Sequence, residues 1–497
     1  MSRKSVIIVG AGIGGLCTAA RLSSLGYQVS VFEKEALVGG RANRIEKDGY
    51  KFDIGPTLLM MTDVLEETFR FCGKKMTDYL ELIQLEPNYQ VVFGDHSRVE
   101  VSSNLPRLTK QLARLDEKAP EQFFDYFASV SEFYRLSRHN YIERNFDKLS
   151  EFVNIRHGSK LLYKHGLQNL WDYTGRYFDD ERLRQLFSFQ SMYLGVSPYE
   201  APAIYSTVSY METALGIWYP KGGMYSLSLA LAKLCRDLGV KITTNSPVGQ
   251  IIVESGRAKA VRVGGKQHAA DIIVANSDLV YSHQYLLNET SQFDKYTPKL
   301  QKLRQASSAM LFYWGVNDDL EGLLHHNVIL SDQFKQNLQD IFHNQRLPKT
   351  PSFYVYVPTK TDPRLAPPNR HIMYVLVPVP NLSANIDWPK AAARLKKQVL
   401  ARCLQEFKID LTDKIDSEEV FGPEDFKTKF NLPDGSAFGL SHTLAQSAYF
   451  RPHNKSTDIK NLFFVGASTY PGGGVPMVTI SAKLVVERIQ KGEANAV

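Results

Sequence analysis

The stretch Ser5-Val-Ile-Ile-Val-Gly-Ala-Gly-Ile-Gly-Gly15 decides the fold of this chain. Its first five residues are mostly β-branched, which predicts a strand buried on both faces of a parallel sheet. Residues 16–25 then read as a helix that ends at Gly26, because glycine readily takes the left-handed conformation beyond a helix C-terminus. A strand, a glycine turn and a helix in this order predict a Rossmann-like dinucleotide-binding unit.

The residues around this turn have separate predicted roles. Gly10 permits a tight turn, Gly12 lets a pyrophosphate approach the backbone, and Gly15 allows the helix to pack closely on the strand. A second strand at residues 28–32 ends at Glu33, whose carboxylate is placed to accept hydrogen bonds from ribose hydroxyls. An acidic residue here disfavours a 2′-phosphate, which leaves FAD or NAD as the dinucleotide.

Length and composition limit the class of protein. At 497 residues the chain is too long for one simple core, which predicts two domains or one core with a large insertion. The net charge of +7 is weak support for nucleic-acid binding but suits an anionic membrane surface. The four cysteines form no CxxC pair, which is typical of a protein of the reducing cytoplasm. No run of about 18 uncharged apolar residues occurs, so membrane contact is predicted to be peripheral.

Two later glycine segments extend the predicted site. Gly39-Gly-Arg41 closely follows Glu33-Lys34, and the Arg41 guanidinium can fork onto pyrophosphate oxygens. Near the C-terminus, a predicted strand at 462–465 leads into a glycine-rich segment at 466–477 and a predicted closing helix at 478–489. Its glycines would let the backbone lie against an isoalloxazine ring, and the helix N-terminus would stabilise negative charge there.

The set of motifs resembles the bacterial or fungal type of phytoene desaturase, a family of FAD-dependent carotenoid desaturases that includes the diapophytoene (dehydrosqualene) desaturases. The resemblance rests on Phe52-Asp-Ile-Gly-Pro56, Lys221-Gly-Gly223, Gly435-Ser-Ala-Phe438 and the C-terminal ending. Gly466-Ala467 departs from the Gly-Asp of the wider flavoprotein superfamily and agrees with this narrower family. The resemblance therefore implies that the dinucleotide is FAD.

The resemblance also implies an α/β chain, α+β overall. It has a Rossmann-like, two-dinucleotide-binding-domain FAD fold with an inserted substrate domain of mixed sheet and helices. Residues 1–65, 225–290 and 420–497 are predicted to form a discontinuous FAD-binding domain. Residues 66–224 and 291–419 are predicted to form a substrate-binding and membrane-docking domain.

Motifs and resemblance together predict the residues that contact FAD. They are Gly10, Gly12, Gly14, Gly15, Glu33, Lys34, Gly39, Gly40, Arg41, Gly55, Pro56, Thr57, Val248, Gly466, Ala467, Val475, Pro476 and Met477. No catalytic base is assigned: Glu424 and Asp425 are expected to begin a helix, and the family pattern does not require histidine at His442. The adjacent His325 and His326 point in different directions, which favours structural roles over a metal site.

The implied function is FAD-dependent desaturation of an acyclic carotenoid precursor, phytoene or the C30 4,4′-diapophytoene, by hydride transfer to flavin. The expected partners are this substrate, a membrane surface, and a quinone or oxygen as electron acceptor; no nucleic acid is expected, and the oligomeric state is open. The expected location is cytoplasmic and peripherally membrane-associated. Arg156, Lys160 and Lys164 recur every four residues among apolar side chains, an arrangement suited either to a membrane interface or to a solvated face.

Three other functions compete with this interpretation. A carotenoid oxygenase or ketolase of the same superfamily would add oxygen, whereas a desaturase removes two hydrogens. An amine oxidase would place aromatic residues beside the flavin to receive an amine, and the C-terminal pattern fits this poorly. A non-catalytic isoprenoid-binding escort protein would hold a prenyl chain on a related fold without FAD.

Overall fold

A computed structural model of the protein describes residues 3–152, 166, 168–287 and 296–494. Numbered in chain order, the strands are β1 Ser5–Val9, β2 Gln28–Phe32, β3 Asn43–Lys47, β4 Tyr50–Ile54, β5 Leu82–Gln84, β6 Tyr89–Val92, β7 Arg98–Val101, β8 Trp218–Pro220, β9 Lys241–Thr243, β10 Val248–Glu254, β11 Arg257–Val263, β12 Lys266–Ala269, β13 Ile272–Ala275, β14 Ser308–Val316, β15 His326–Ile329, β16 Phe353–Tyr356, β17 His371–Val379, β18 Ile415–Phe421 and β19 Leu462–Phe464.

The α-helices of the same residues are Ile13–Ser24, Thr62–Phe71, Leu105–Leu112, Ala119–Ser137, Leu149–Phe152, Leu170–Thr174, Glu181–Leu186, Thr207–Tyr210, Tyr225–Asp237, Leu279–Tyr281, Thr297–Leu300, Phe334–Phe342, Trp388–Phe407, Pro423–Phe430 and Val475–Ala494. The π-helical turns are Arg138–Ile142, Met211–Leu215 and Ser282–Leu286. The 3-10 turns are Met76–Asp78, Phe189–Leu194, Ala203–Ser206, Pro358–Lys360, Pro363–Leu365, Pro433–Gly435, Leu444–Gln446 and Ala448–Phe450.

A five-stranded parallel sheet in the order β19-β13-β1-β2-β9 contains the strand that opens the chain. Successive side chains of a strand point to opposite faces, so the apolar run of β1 fills two cores. Val6 and Ile8 pack in a core with residues of the helices Ile13–Ser24 and Val475–Ala494. Ile7 and Val9 pack in a second core with residues of β10 and β11. Burial on both sides explains why β1 reads as continuous apolar sequence.

A seven-stranded mixed sheet in the order β18-β14-β17-β16-β15-β6-β7 forms the second large layer. Its β14 is buried along its whole length. Leu311 and Tyr313 face one core, whereas Phe312 and Trp314 face another that is covered by the helix Trp388–Phe407. This alternation again accounts for an uninterrupted apolar and aromatic strand.

The predicted α/β fold with a Rossmann-like sheet is confirmed, and β1 and β2 occupy the predicted residues. Two helices begin earlier than predicted: the first, predicted from residue 16, begins at Ile13, and the closing helix, predicted over 478–489, spans Val475–Ala494. Gly474, at a φ of 105°, ends the preceding loop, and proline fits the first turn of a helix, where its missing N–H is not needed. Val475, Pro476 and Met477 therefore belong to the helix and not to the glycine loop.

The domain boundaries stay predictions. Residues 420–497 are assigned to the FAD domain from sequence, yet Phe421, Phe426 and Leu432 pack into a core of the seven-stranded sheet. Within the described ranges, no helix combines the length and the apolar character needed to cross a bilayer. Arg156, Lys160 and Lys164 lie outside the described residues.

The two adjacent histidines have structural surroundings, as predicted. Their rings lie 4.5 Å apart at 74° to each other. Nδ1 of His325 lies 2.6 Å from the Thr361 hydroxyl, and Nδ1 of His326 lies 2.7 Å from the Tyr354 hydroxyl. Burial lowers the pKa of His325 to about 3 and that of His326 well below its usual value, so both rings are neutral.

Candidate cofactor and substrate site

A cleft of about 390 Å³ runs between the carboxyl ends of the parallel strands and the seven-stranded sheet. Ligands of open α/β sheets bind outside the carboxyl ends of the strands. The predicted cofactor residues that line this cleft are Gly10, Gly12, Gly14, Glu33, Lys34, Gly39, Gly40, Arg41, Gly55, Pro56, Val248, Gly466, Ala467 and Val475. The structure therefore brings together segments that lie more than 400 residues apart in the chain.

The glycine turn forms a cradle at one end of the cleft. Gly12 caps the helix Ile13–Ser24 without any side-chain hydrogen bond, so the first N–H groups of the helix remain available to an anion. The neighbouring segment lies close, because the Gly39 N–H donates to the Ala11 carbonyl at 2.8 Å. A Cβ on Gly40 would stand 3.3 Å from the Gly12 Cα. The two glycine segments have no Cβ atoms between them, so their backbone groups are accessible to a ligand.

Glu33 closes this end of the cleft and also holds the turn in shape. Its carboxylate accepts the Ala11 N–H at 2.7 Å and the Glu35 N–H at 3.0 Å. The side chain is 5% exposed and lines the cleft. The carboxylate oxygens keep lone pairs for ribose hydroxyls, since each oxygen accepts more than one hydrogen bond. The structure therefore adds a supporting role to the predicted binding role.

Arg41 brings a positive charge to the middle of the cleft. Nη1 of its guanidinium lies 3.5 Å from the Ala437 carbonyl. Burial lowers the pKa of Arg41, and the charge of Asp278 opposes this effect. Asp278 itself is occupied by the Val280 and Tyr281 N–H groups and the Ser468 hydroxyl. A half-buried guanidinium with unused donors suits an anionic ligand such as a pyrophosphate.

Asn276 is a cleft residue that the sequence reasoning missed. It follows β13 directly, and its Nδ2 donates to the Gly10 carbonyl at 3.2 Å. A Cβ on Gly12, Gly14 or Gly15 would lie 2.9 Å from an atom of its amide group. The signal was available, because polar residues directly after a parallel strand lie at the ligand-binding edge of the sheet.

The C-terminal glycine loop forms the opposite wall of the cleft. His442 Nδ1 lies 3.2 Å from the Leu194 carbonyl, and its Nε2 accepts the Gly473 N–H at 3.4 Å. Arg451 lies beneath the loop, 1% exposed, and donates to the Ala467 carbonyl at 2.6 Å. Burial lowers the pKa of Arg451 to about 10. Both side chains support the loop backbone.

The remaining predicted cofactor residues stand behind the cleft wall. A Cβ on Gly15 would lie 2.3 Å from the Gly10 carbonyl oxygen, so this glycine serves close packing of helix on strand, as predicted. Thr57 accepts the Tyr354 hydroxyl at 2.8 Å. Pro476 lies in the first turn of the closing helix, and Met477 packs against an apolar cluster beside that helix. Direct contact between these residues and FAD stays a prediction.

Glu424 and Asp425 begin the helix Pro423–Phe430, as predicted. The Asp425 carboxylate accepts the Gly422 N–H at 2.9 Å. Neither residue lines the cleft in the described structure. They are helix-start residues and are not candidates for a catalytic base.

Comparison with known proteins agrees with this geometry. The model of the flavin containing amine oxidoreductase family matches residues 13–490. A zeta-carotene-forming phytoene desaturase of Myxococcus xanthus is 40% identical over 98% of this chain and 94% of its own length. A 4,4′-diapophytoene desaturase of Staphylococcus aureus is 39% identical over 98% of both chains.

The chain belongs to the flavin containing amine oxidoreductase family and, within it, to the carotenoid desaturases. The predicted family is therefore confirmed. Among solved structures, an oxidoreductase from Methanosarcina mazei has a TM-score of 0.62 at 17% identity, covering 97% of this chain and 100% of that one. A Rab GDI from Plasmodium falciparum has a TM-score of 0.58 at 13% identity, covering 99% and 98%. At such identities these two structures support the fold alone.

Proposed function

We propose that this protein is an FAD-dependent enzyme that desaturates an acyclic carotenoid precursor, either phytoene or 4,4′-diapophytoene. The observation that carries the proposal is the continuity of the cleft. One end is a backbone cradle with an acid and a guanidinium, and the same cleft continues along apolar side chains of the seven-stranded sheet. A dinucleotide and a hydrocarbon would therefore meet inside one enclosure.

The apolar part of the cleft suits a substrate without polar groups. It is lined by Ala309, Leu311, Leu376, Phe426, Phe430, Leu432 and Phe438. Ala309 and Leu311 lie on β14, and Leu376 lies on β17, so rigid sheet positions form the wall. Apolar walls of this kind bind a hydrocarbon through removal of its surface from water.

The residues present fit FAD. The first turn of the helix Ile13–Ser24 and the Arg41 guanidinium would hold the pyrophosphate, and Glu33 would hold the ribose. Gly466 and Ala467 would lie along the isoalloxazine ring, with the N-terminus of the helix Val475–Ala494 near it. When bound, the flavin supplies a two-electron oxidant. The protein supplies binding, orientation and exclusion of water.

Expression in cells that accumulate phytoene, and separately in cells that accumulate diapophytoene, tests the function. We expect a product lighter by two hydrogens per step and a longer conjugated system in the visible spectrum. A product that gains oxygen would favour the oxygenase or ketolase, and purified protein without flavin absorbance would favour the escort protein.

Peripheral membrane docking, with a quinone or oxygen as the electron acceptor, is part of the proposal, because such substrates reside in bilayers. Three exposed apolar side chains support it: Leu149, Leu444 and Phe450 are 46%, 49% and 58% exposed. The short helix that contains Leu149 contacts the turn that contains Phe450 through the rings of Phe152 and Tyr449, whose centroids lie 5.6 Å apart. Exposed apolar groups of this kind insert into a lipid surface.

Sedimentation with anionic liposomes tests the docking. The pair L444S and F450S is expected to weaken binding about tenfold, which corresponds to about 1.4 kcal/mol. The matched control is F124S, which replaces a phenylalanine that is 50% exposed on another helix. Neutralising Arg156, Lys160 and Lys164 is expected to weaken binding by up to about 1 kcal/mol per charge, and high salt is expected to have the same effect. Equal binding by all variants would disprove a docking role for both sets of residues.

A further inference from the structure

The proposed desaturation leaves a proton without an acceptor. A hydride leaves one carbon of the substrate, and a proton must leave the neighbouring carbon to complete the double bond. Most of the ionisable groups on the cleft wall already have hydrogen-bond partners. The Glu33 and Asp278 carboxylates accept backbone N–H groups, and both nitrogens of His442 are engaged.

The phenol of Tyr281 also lines the cleft but packs against a core of the parallel sheet. The phenols of Tyr193 and Tyr374 line the apolar part of the cleft. Tyr193 and Tyr374 differ in the carboxyl group that lies near each phenol. The carboxylate near Tyr374 is Asp53, and its oxygens already accept the Met224 and Tyr225 N–H groups and the Tyr356 hydroxyl. Asp53 therefore anchors a helix start.

The carboxyl group behind Tyr193 is Glu212, and only one of its oxygens is occupied. Oε2 accepts the Tyr89 hydroxyl at 2.8 Å and the Gln190 amide at 3.2 Å. Oε1 is buried, and no donor among the described residues makes a hydrogen bond of normal geometry to it. The side chain is 1% exposed. A buried oxygen without a partner is costly in a stable core, so it points to a function.

Backbone contacts hold Glu212 and Tyr193 in place. Glu212 lies on the π-helical turn Met211–Leu215, and π-helical turns are frequent at functional sites. Its backbone carbonyl accepts the Asn88 amide at 2.7 Å. Tyr193 lies next to Leu194, whose carbonyl is bonded to His442 under the C-terminal glycine loop. The phenol is thereby placed beside the loop along which the flavin ring is proposed to lie.

We propose that Glu212 is the terminal proton acceptor of the desaturation and that Tyr193, at the cleft wall, passes the proton to it. This inference rests on the proposed function. One substrate C–H bond would break with loss of a hydride, and the flavin that the cradle would hold would supply the two-electron acceptor. The C–H bond of the neighbouring carbon then breaks, its electron pair forms the new C=C bond, and its proton moves to the Tyr193 oxygen. At the same time the Tyr193 O–H proton moves to Oε1 of Glu212.

The surroundings of Glu212 adjust its acidity for this role. Burial raises its pKa to about 7, and the nearby polar groups of Tyr89, Gln190 and Tyr193 oppose this effect. The ionisable groups that face it are the phenols of Tyr89, Tyr126 and Tyr193, and burial raises the pKa of each, so all are neutral at pH 7. The carboxylate, which is the accepting form, therefore disappears as the pH falls below about 7. An allylic cation is a strong acid, so a neutral phenol suffices as the first acceptor.

Single-turnover product formation between pH 5 and 9 tests the inference. The substrate is presented in liposomes to the flavin-loaded enzyme without oxygen, and the absorbance of the lengthened conjugated system is followed. We expect the wild-type rate to fall below about pH 7. E212Q and Y193F are expected to be at least about 100-fold slower at pH 8, and E212Q is expected to lose the acid limb. Y89F removes a hydrogen bond that lowers the Glu212 pKa, so its acid limb is expected to move to higher pH.

The matched control is Y313F, which removes a buried phenol that has no hydrogen-bond partner among the described residues and does not line the cleft. Its rate and pH profile are expected to stay within about twofold of wild type. A readout independent of flavin is the infrared carboxyl band of the apoprotein, which is expected to titrate near pH 7 and to be absent in E212Q.

An acid limb that persists in E212Q, or that does not move in Y89F, would overturn the inference, because a purely structural Glu212 would change the rate without the pH profile. If E212Q does not fold, the Y193F rate and the pH shift in Y89F still distinguish a proton acceptor from a structural residue. An inactive wild type would instead refute the proposed function.

Discussion

The two ends of the cleft are built in opposite ways. The cradle at Gly10–Gly15 consists of backbone, and its geometry follows from short stretches of sequence with little side-chain volume. The far end consists of side chains such as Tyr193, Leu311 and Tyr374, which come from a 3-10 turn and two strands. The difference shows that cofactor binding rests on local geometry, whereas substrate chemistry rests on contacts between distant segments.

The largest expected effect lies in the cradle itself. G15A places a Cβ 2.3 Å from the Gly10 carbonyl oxygen, and a backbone atom cannot yield, so we expect a loss of more than about 3 kcal/mol in the free energy of unfolding. G12V instead meets the movable end of the Asn276 side chain, and it is expected to fold but to retain no FAD. Denaturant unfolding and flavin content distinguish the two. G492A, in open space, is the control, and equal behaviour of G15A and G492A would contradict the packing role.

At the far end, the buried carboxyl group predicts a pH-dependent stability. The folded state raises the Glu212 pKa from 4.5 to about 7, so the folded state binds this proton more tightly than the unfolded state. The stabilisation is fully present below about pH 4.5 and is lost as the pH rises to about 7. The shift corresponds to about 3 kcal/mol. Urea unfolding is therefore expected to show E212Q gaining stability relative to wild type across this range, and a difference that is constant with pH would refute the assignment.

Loss of the Glu33 carboxylate should affect binding without changing the chemistry. We expect E33A to weaken FAD binding by about 1.5–3 kcal/mol, a tenfold to hundredfold effect, because a charge-assisted hydrogen bond is lost. The products should be unchanged, since the group lies at the cradle end. Flavin titration of the apoprotein measures the affinity. E46A removes an exposed acid outside the cleft and serves as the control; an E33A affinity equal to that of E46A would remove Glu33 from the site.

The smallest expected effect concerns Thr57 and distinguishes direct contact with FAD from support of the Tyr354 hydroxyl behind the cleft. T57V deletes the acceptor of the Tyr354 hydroxyl, so we expect a loss of about 1 kcal/mol in stability and an FAD affinity within about twofold of wild type. T57S keeps the hydroxyl and should behave as wild type. A tenfold loss of FAD affinity in T57V would support the direct contact that the motif predicts.

The sequence by itself determined the cofactor end, for a local reason. β1, the glycine turn and the helix that follows are contiguous, so the spacing of the glycines by itself predicts the tight turn and the close packing of helix on strand. Glu33 lies at the end of the next strand, so its position follows from the same unit. The family resemblance likewise rests on short contiguous motifs, such as Phe52-Asp-Ile-Gly-Pro56 and Lys221-Gly-Gly223.

Only the tertiary structure decided the rest of the site. Asn276 reaches Gly10 because β13 and β1 are neighbours in the sheet, and Glu212 meets Tyr89 and Tyr193 because a π-helical turn packs beside β6 and a 3-10 turn. No local pattern marks a buried carboxyl group with one free oxygen. Its partners come from segments more than 100 residues apart, and its acidity depends on how completely their packing removes water.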